Sequence, residues 1–299
     1  MEKNLYIDAS HPNETRVVLK SNGNIEDYEY ENIKSTLIKN NIYLGKVSRV
    51  EPSLQAAFID FGRERHGFLS FNDIQSDYYQ IPQSDLEKIK SEEEKAREEL
   101  LKKSQIEEDK DLSENNSNFN DPVEKRNDLD QENGAVIIEK KYPVKRYKIQ
   151  EVIKPNQVIL VQVLKDERGL KGAALSTFIS IAGKYIVLMP NTPKGGGISR
   201  KIFNSVDRKK IRSILNQITI PKEMGIIVRT AGANKTKNEI EKDLENLIKI
   251  WESIKENAMN SIAPFLIHKE SEIIKRTLRD IYDDDTQNII VEGNEGYQK

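Results

Sequence analysis

The sequence predicts an α+β fold, and three observations predict it. Between residues 42 and 71, short apolar runs are separated by turn signals, the mark of closely spaced strands. Val158-Ile159-Leu160-Val161-Gln162-Val163-Leu164 is rich in β-branched side chains and reads as a strand. Thr236 and Glu239 have capping-box spacing, and Ile240, Leu244, Leu247, Ile248, Trp251 and Ile254 then recur on one helical face. That stripe is ordinary core.

In chain order, residues 1–38 carry two apolar patches, Leu5-Tyr6-Ile7 and Thr15-Arg16-Val17-Val18-Leu19. With a turn at Ser21-Asn22-Gly23-Asn24, they predict a small antiparallel hairpin. Three short strands follow at 42–47, 55–60 and 66–69, broken by Pro52-Ser53 and turned by residues 61–65. From Gln83 to Lys141 the pattern dissolves into Ser, Asn, Asp and Glu, too polar to offset the entropy of ordering, so 83–141 is expected to be a disordered insertion. Within it, residues 92–99 have the charge pattern of a transient helix. Order resumes at 147–153. Residues 172–234 predict strands at 185–190 and 224–229 around a helix from Ser205 to about Gln217. Residues 267–281 predict another helix, and 288–293 open a strand with no visible partner after it.

Composition narrows the function classes. There is no cysteine, which excludes a disulfide framework and any thiolate metal site within these residues. His11, His66 and His268 are far apart in sequence. No apolar run approaches the roughly 20 residues of a membrane span, and the N-terminus lacks the apolar stretch of a signal peptide. A cytoplasmic protein is the expectation. The net charge of −2 conceals a division: residues 83–141 hold 18 acidic and 11 basic side chains, a balance of −7, and the remainder holds 36 basic against 31 acidic, a balance of +5. The part that reads as folded is mildly basic, which suits a phosphate-binding surface.

Phe58, Phe61 and Phe68 sit among Lys46, Arg49, Arg63, Arg65 and His66 on short strands. Small barrels hold single-stranded RNA this way, stacking bases on exposed rings while cations follow the backbone. The same rings could fill a core, and period-two alternation does not say which face is wet. Both readings stand. Three other features read as ordinary. Gly195-Gly196-Gly197 lacks the Gly-Lys-Ser/Thr of a phosphate loop and reads as a flexible turn. His66 has no nearby carboxylate to make it a general base. Asp283-Asp284-Asp285 reads as a solvated turn rather than a Mg²⁺ site.

The segments Tyr43-Leu44-Gly45-Lys46-Val47, residues 51–62 and Glu64-Arg65-His66-Gly67-Phe68-Leu69 resemble the OB-fold RNA-binding module of the ribonuclease E/G family. Further matching segments follow in family order: Lys171-Gly172-Ala173-Ala174-Leu175-Ser176-Thr177-Phe178, Leu188-Met189-Pro190-Asn191, Gly196-Gly197-Ile198-Ser199-Arg200, Val228-Arg229-Thr230-Ala231-Gly232 and Ala263-Pro264-Phe265-Leu266-Ile267-His268. Ile181-Ala182-Gly183 and Arg65-His66-Gly67-Phe68 are similar to the E branch of that family.

The resemblance implies four parts: residues 1–38 as the first piece of a split ribonuclease H-like subdomain, 39–176 as the OB-fold with its insertion, 177–274 as a mixed 5′-sensor subdomain, and 275–299 as the start of the second ribonuclease H-like piece. It implies RNA contacts at Phe58, Phe68 and Lys171, with Phe61 in the core. It implies a pocket for a 5′-terminal monophosphate at Gly183, Val187, Arg229 and Thr230. An arginine fork, a hydroxyl and a glycine that admits backbone amides are chemically apt for that ligand. The implied activity is endoribonuclease cleavage of single-stranded RNA in RNA processing and decay. Its Mg²⁺-binding carboxylates and a zinc-binding cysteine pair for homotetramer assembly are expected beyond the matched segments. No catalytic residue is therefore assigned, and these 299 residues alone are expected to be inactive. The resemblance also implies association with the inner face of the bacterial membrane and with an RNA-degrading complex. The alternative is a non-catalytic OB-fold protein that binds single-stranded RNA.

Overall fold

The computed structural model describes residues 3–11, 13–32, 38–91, 95, 147–169, 171–192, 196–221, 223–270, 272–282 and 285–298. They form two compact units, Met1–Gln75 with Lys154–Lys299, and Ser76–Ile153. The architecture is mixed α and β, as expected.

In the first unit, β1 (Lys3–Asp8), β2 (Glu14–Ser21), β3 (Asn24–Asn32) and β14 (Asn288–Glu292) make a sheet in the order β14-β1-β2-β3. Asn22 and Gly23 both adopt positive φ, 49° and 87°, which suits the tight turn from β2 into β3. The sequence predicts a two-stranded hairpin here. β3 escapes that reading because it is largely exposed and its Tyr28 and Tyr30 alternate with acids rather than forming an apolar patch. β14 does have a partner: it lies parallel to β1, with Asn288 opposite Asn4 and Val291 opposite Ile7. That partner sits at the far end of the chain, where local pattern cannot reveal it. Leu5, Ile7, Val17 and Leu19 bury their shared face against Ile273 and Ile274.

The second sheet closes on itself. β4 (Ile42–Glu51), β5 (Ala56–Asp60), β6 (Gly67–Ser70), β8 (Ala174–Ser176) and β7 (Val158–Lys165) pair in that order, and β7 returns to β4 with Ile42 opposite Gln162. The result is a five-stranded barrel whose buried side chains include Val47, Ala57, Ile59, Leu69, Val161, Val163 and Leu175. β13 (Phe265–His268) adds to β4 as a further strand. Residues 267–281 are therefore not one helix: Ile267 and His268 belong to this strand, and α3 (Ile273–Asp280) begins after it. Ile267, Ile273, Ile274 and Ile281 mimic a helical stripe, but the start of β4, which runs past β5, captures the first of them.

The third sheet has the order β11 (Gly196–Ile198), β12 (Gly225–Val228), β10 (Ile186–Met189), β9 (Ile181–Ala182). α1 (Ser205–Leu215) and α2 (Lys237–Asn260) pack on it through Ile211, Leu215, Ile240, Leu244 and Leu247. The capping box forms as predicted, Thr236 accepting from the Glu239 amide and Glu239 accepting from Thr236. Trp251 packs against the same core. The expected glycine turn is corrected, because Gly196 and Gly197 form a strand opposite Ile226 and Ile227, and Gly195 lies outside the described residues.

In the second unit, residues 83–91 are helical, with Ile89 buried. The Tyr147 hydroxyl donates to Asp85 at 2.5 Å, and the Gln80 amide donates to the Val152 carbonyl at 2.9 Å. Disorder from Gln83 onward is thus corrected for its first nine residues. Of the expected insertion, 92–94 and 96–141 lie outside the described residues.

Candidate nucleic-acid interface

Period-two alternation sets the first group of residues. Ala57, Ile59 and Leu69 point into the barrel with no exposure, so Phe58 and Phe68 between them point outward. They face each other across β5 and β6, rings 6.0 Å apart at 76°, an edge-to-face pair. Arg49, opposite Phe58 on β4, holds its guanidinium 4.4 Å from that ring's centroid. Phe61 is 1% exposed and packs edge-to-face on Tyr43, the core position expected for it.

Lys171 is exposed on the loop that enters β8. Arg65 donates to the Gly169 carbonyl, Arg168 and Lys171 form a bridge, and the Phe68 amide donates to Ala173 at 2.8 Å. Lys171 thus leads into the strand that pairs with Phe68, whose register partner is Ala174. Two partly buried rings, an arginine over one of them and a neighbouring lysine make an outer barrel face that is both aromatic and cationic.

The second group converges on the third sheet. Arg229 follows β12, and its amide donates to the Tyr185 carbonyl at 2.8 Å. Its Nη1 donates to the Gly183 carbonyl at 2.6 Å and pairs with Asp280 Oδ1 at 2.7 Å. Gly183 and Arg229 are therefore in contact. Val187 lies on β10 opposite Ala182 and Ile227, and Thr230 is exposed at the start of a short turn through Gly232. Among the described residues both Arg229 contacts use Nη1, which leaves the Nε–Nη2 edge of the fork for a ligand.

Two carboxylates that the sequence reading passed over build this corner. Asp243 of α2 accepts from the amides of Lys184, Tyr185 and Ile186 at 3.4, 2.8 and 3.1 Å. A Cβ on Gly183 would stand 2.6 Å from its Oδ2, so glycine here admits Asp243. The second is Asp280, gripped by Arg229 and by Arg279, whose Nε and Nη2 donate to its two oxygens at 3.0 and 2.8 Å. Arg279 also reaches Glu270 at 2.8 Å and the Ala182 carbonyl at 3.3 Å. Burial would raise the Asp280 carboxyl, but hydrogen bonds from Arg279 and Arg229 outweigh it and hold the group below the usual carboxylate value. A signal for each existed. Asp243 sits three residues after Ile240, beside an apolar stripe, and Asp280 is an acid at a helix C-terminus, where the dipole disfavours it.

Asp285 is exposed, and Asp283 and Asp284 lie outside the described residues. Among the described residues no group of three His, Asp or Glu side chains could hold a metal ion. No helix of the described residues is long and apolar enough to cross a membrane.

Known proteins match this pattern. The Ribonuclease E/G family model matches residues 180–299. Ribonuclease E of Escherichia coli (strain K12) is 36% identical over 290 residues, covering 97% of this chain and 22% of that protein. Ribonuclease E of Haemophilus influenzae is 35% identical over 297 residues, covering 99% of this chain and 26% of that protein. Ribonuclease E of Nostoc sp. is 38% identical over 151 residues, half of this chain. The chain spans about a quarter of the length of the first two. Similarity along nearly the whole of this chain, on a barrel with an outward aromatic pair and a sheet that presents an arginine fork, places it in the ribonuclease E/G family.

Proposed function

We propose that this chain is the RNA-binding, 5′-end-reading region of a ribonuclease E-type endoribonuclease acting on single-stranded RNA. The barrel acts as an OB-fold module, with Phe58 and Phe68 stacking bases and Lys171 meeting the backbone. The parallel pairing of β14 with β1 supports reading 1–38 and 275–299 as parts of one ribonuclease H-like subdomain. Gly183, Val187, Arg229 and Thr230 form the 5′-monophosphate pocket.

The observation that carries the reading is the Arg229 fork, tied at Nη1 to the Gly183 carbonyl with its other edge left for a bidentate contact. A monophosphate presents the paired oxygens such an edge needs. A 5′-hydroxyl presents none. The bases of a duplex cannot offer their faces to Phe58 and Phe68, so single strands are preferred.

The test is fluorescence anisotropy with 3′-labelled oligonucleotides that differ only in a 5′-phosphate or 5′-hydroxyl, single-stranded or annealed. The expected result is tighter binding of the single-stranded 5′-monophosphate form, with that preference lost in Arg229→Ala. Phe58→Ala and Phe68→Ala should each weaken binding by about 1–3 kcal/mol for both 5′ ends, in variants whose circular dichroism is unchanged. Equal affinity for both ends, indifferent to Arg229, would remove the pocket; a folded double phenylalanine variant with full affinity would remove the stacking role.

A further inference from the structure

The chain between β11 and the second turn of α1 is the most basic stretch of the third sheet's surroundings. Residues 200–212 hold Arg200, Lys201, Arg208, Lys209, Lys210 and Arg212 against one acid, Asp207, in a protein of net charge −2. Arg200, Lys201, Lys209 and Lys210 are exposed. Among them Phe203 is 89% exposed and Val206 70%. A single exposed apolar side chain is ordinary on a protein surface. An exposed ring bracketed by four exposed cations is a different feature.

Its presentation is built in. Ile202 is buried in the core beneath the sheet, so the next residue is turned outward. Arg208 Nη1 donates to the carbonyls of Ser199 and Ile202, both at 3.3 Å, and fastens the connection to the first turn of the helix. The Asn204 side chain accepts from the Val206 amide at 3.0 Å and caps α1. Val206, Lys209 and Lys210, spaced three and four apart, then share one helical face. The position matters as well. Ile198 pairs with Val228, and the Ser199 amide donates to the Val228 carbonyl at 2.9 Å, so the basic segment leaves the sheet beside Arg229.

We propose that Lys201, Phe203, Lys209 and Lys210 form a second contact surface for single-stranded RNA, leading away from the 5′ end. Phe203 stacks a base, and the three lysines face phosphates of the nucleotides that follow the one held at Arg229. Charge complementarity selects the ligand: a polyanion with flat apolar faces suits a ring among cations. The 5′-to-3′ placement rests on the pocket reading above, whereas the contact itself does not.

The experiment uses the whole chain, a 3′-fluorescein single-stranded RNA of about 15 nucleotides, and anisotropy at several salt concentrations. Lys209→Gln with Lys210→Gln is expected to weaken binding and to lower the slope of log affinity against log salt by about 1.4, roughly 0.7 per lost phosphate contact. Phe203→Ala is expected to weaken binding about fivefold or more at unchanged slope. Phe203→Trp is expected to restore affinity and to lose fluorescence when RNA is added. Neither the lysine variant nor Phe203→Ala is expected to change the ratio of affinities for 5′-phosphate and 5′-hydroxyl RNA, which Arg229→Ala does change. Unchanged affinity and slope in both would overturn the proposal even if Phe58→Ala and Arg229→Ala weaken binding. So would Phe203-dependent binding to phosphatidylglycerol vesicles with no effect on RNA. Loss of RNA binding in these variants alone, with the barrel and Arg229 variants unaffected, would support this surface and sink the function proposed above.

Discussion

Asp280 closes α3, at the end of a helix where the dipole disfavours a carboxylate, and two guanidinium groups hold it there. Because it meets Arg229 at Nη1, it is expected to orient the fork rather than to compete for it. Asp280→Asn should therefore weaken binding of 5′-monophosphate RNA about fivefold while sparing 5′-hydroxyl RNA; the side chains are about a quarter exposed, so a modest effect is expected. Tighter binding of the monophosphate form would show Asp280 to be a competitor instead. His268 offers a pH-dependent case. Burial pushes its imidazole below the ordinary value of 6.5, against an upward pull from Glu270. The unfolded chain takes up this proton as pH falls through about 6.5, while the folded chain resists it. Stability is thus full above 6.5 and declines as pH drops toward the lower folded value. Thermal melts between pH 7.5 and 5.5 should show a smaller loss for His268→Gln than for the native chain.

At the scale of elements, the connection from β9 to β10 owes its shape to α2. Three successive amides converge on Asp243, and Gly183 makes the space. Asp243→Ala leaves those donors without their acceptor and should cost about 1–3 kcal/mol, read as a melting temperature several degrees lower. Gly183→Ala should act in the same direction by pushing the carboxylate away. Both variants should also blunt discrimination between 5′ ends, since the Gly183 carbonyl is what Arg229 grips; intact discrimination in a destabilised Asp243→Ala would separate the two roles. The α2 helix itself was legible, because its cap and its stripe are local. β3 was not, since an exposed strand on a sheet edge needs no apolar alternation. β13 was not either, since Phe265 through His268 could follow helix or strand until β4 offered an edge.

At the scale of the whole molecule, the first and last described strands meet in one sheet, and a long acidic segment is set into the second unit. Tyr147 bonds Asp85, so the chain returns close to the helix it left. Replacing residues 96–141 with a short Gly-Ser linker should leave single-stranded RNA affinity unchanged or higher, because acidic charge near a phosphate path repels within about 10 Å. Lost binding in a folded deletion variant would assign that segment a direct role. The sequence by itself determined four of the five strands of the barrel, β8 excepted, both long helices, and the outward or inward choice once one neighbour's face was known. Each of these depends on period, cap or motif within a few residues. Only the tertiary structure decided that Phe58 and Phe68 face outward while Phe61 does not, that β14 pairs with β1, and that Asp243 and Asp280 brace the arginine corner. Those outcomes depend on which distant strand or helix closes over a given face, and hydrogen-bond partners 50 or more residues apart leave no periodic trace in the chain.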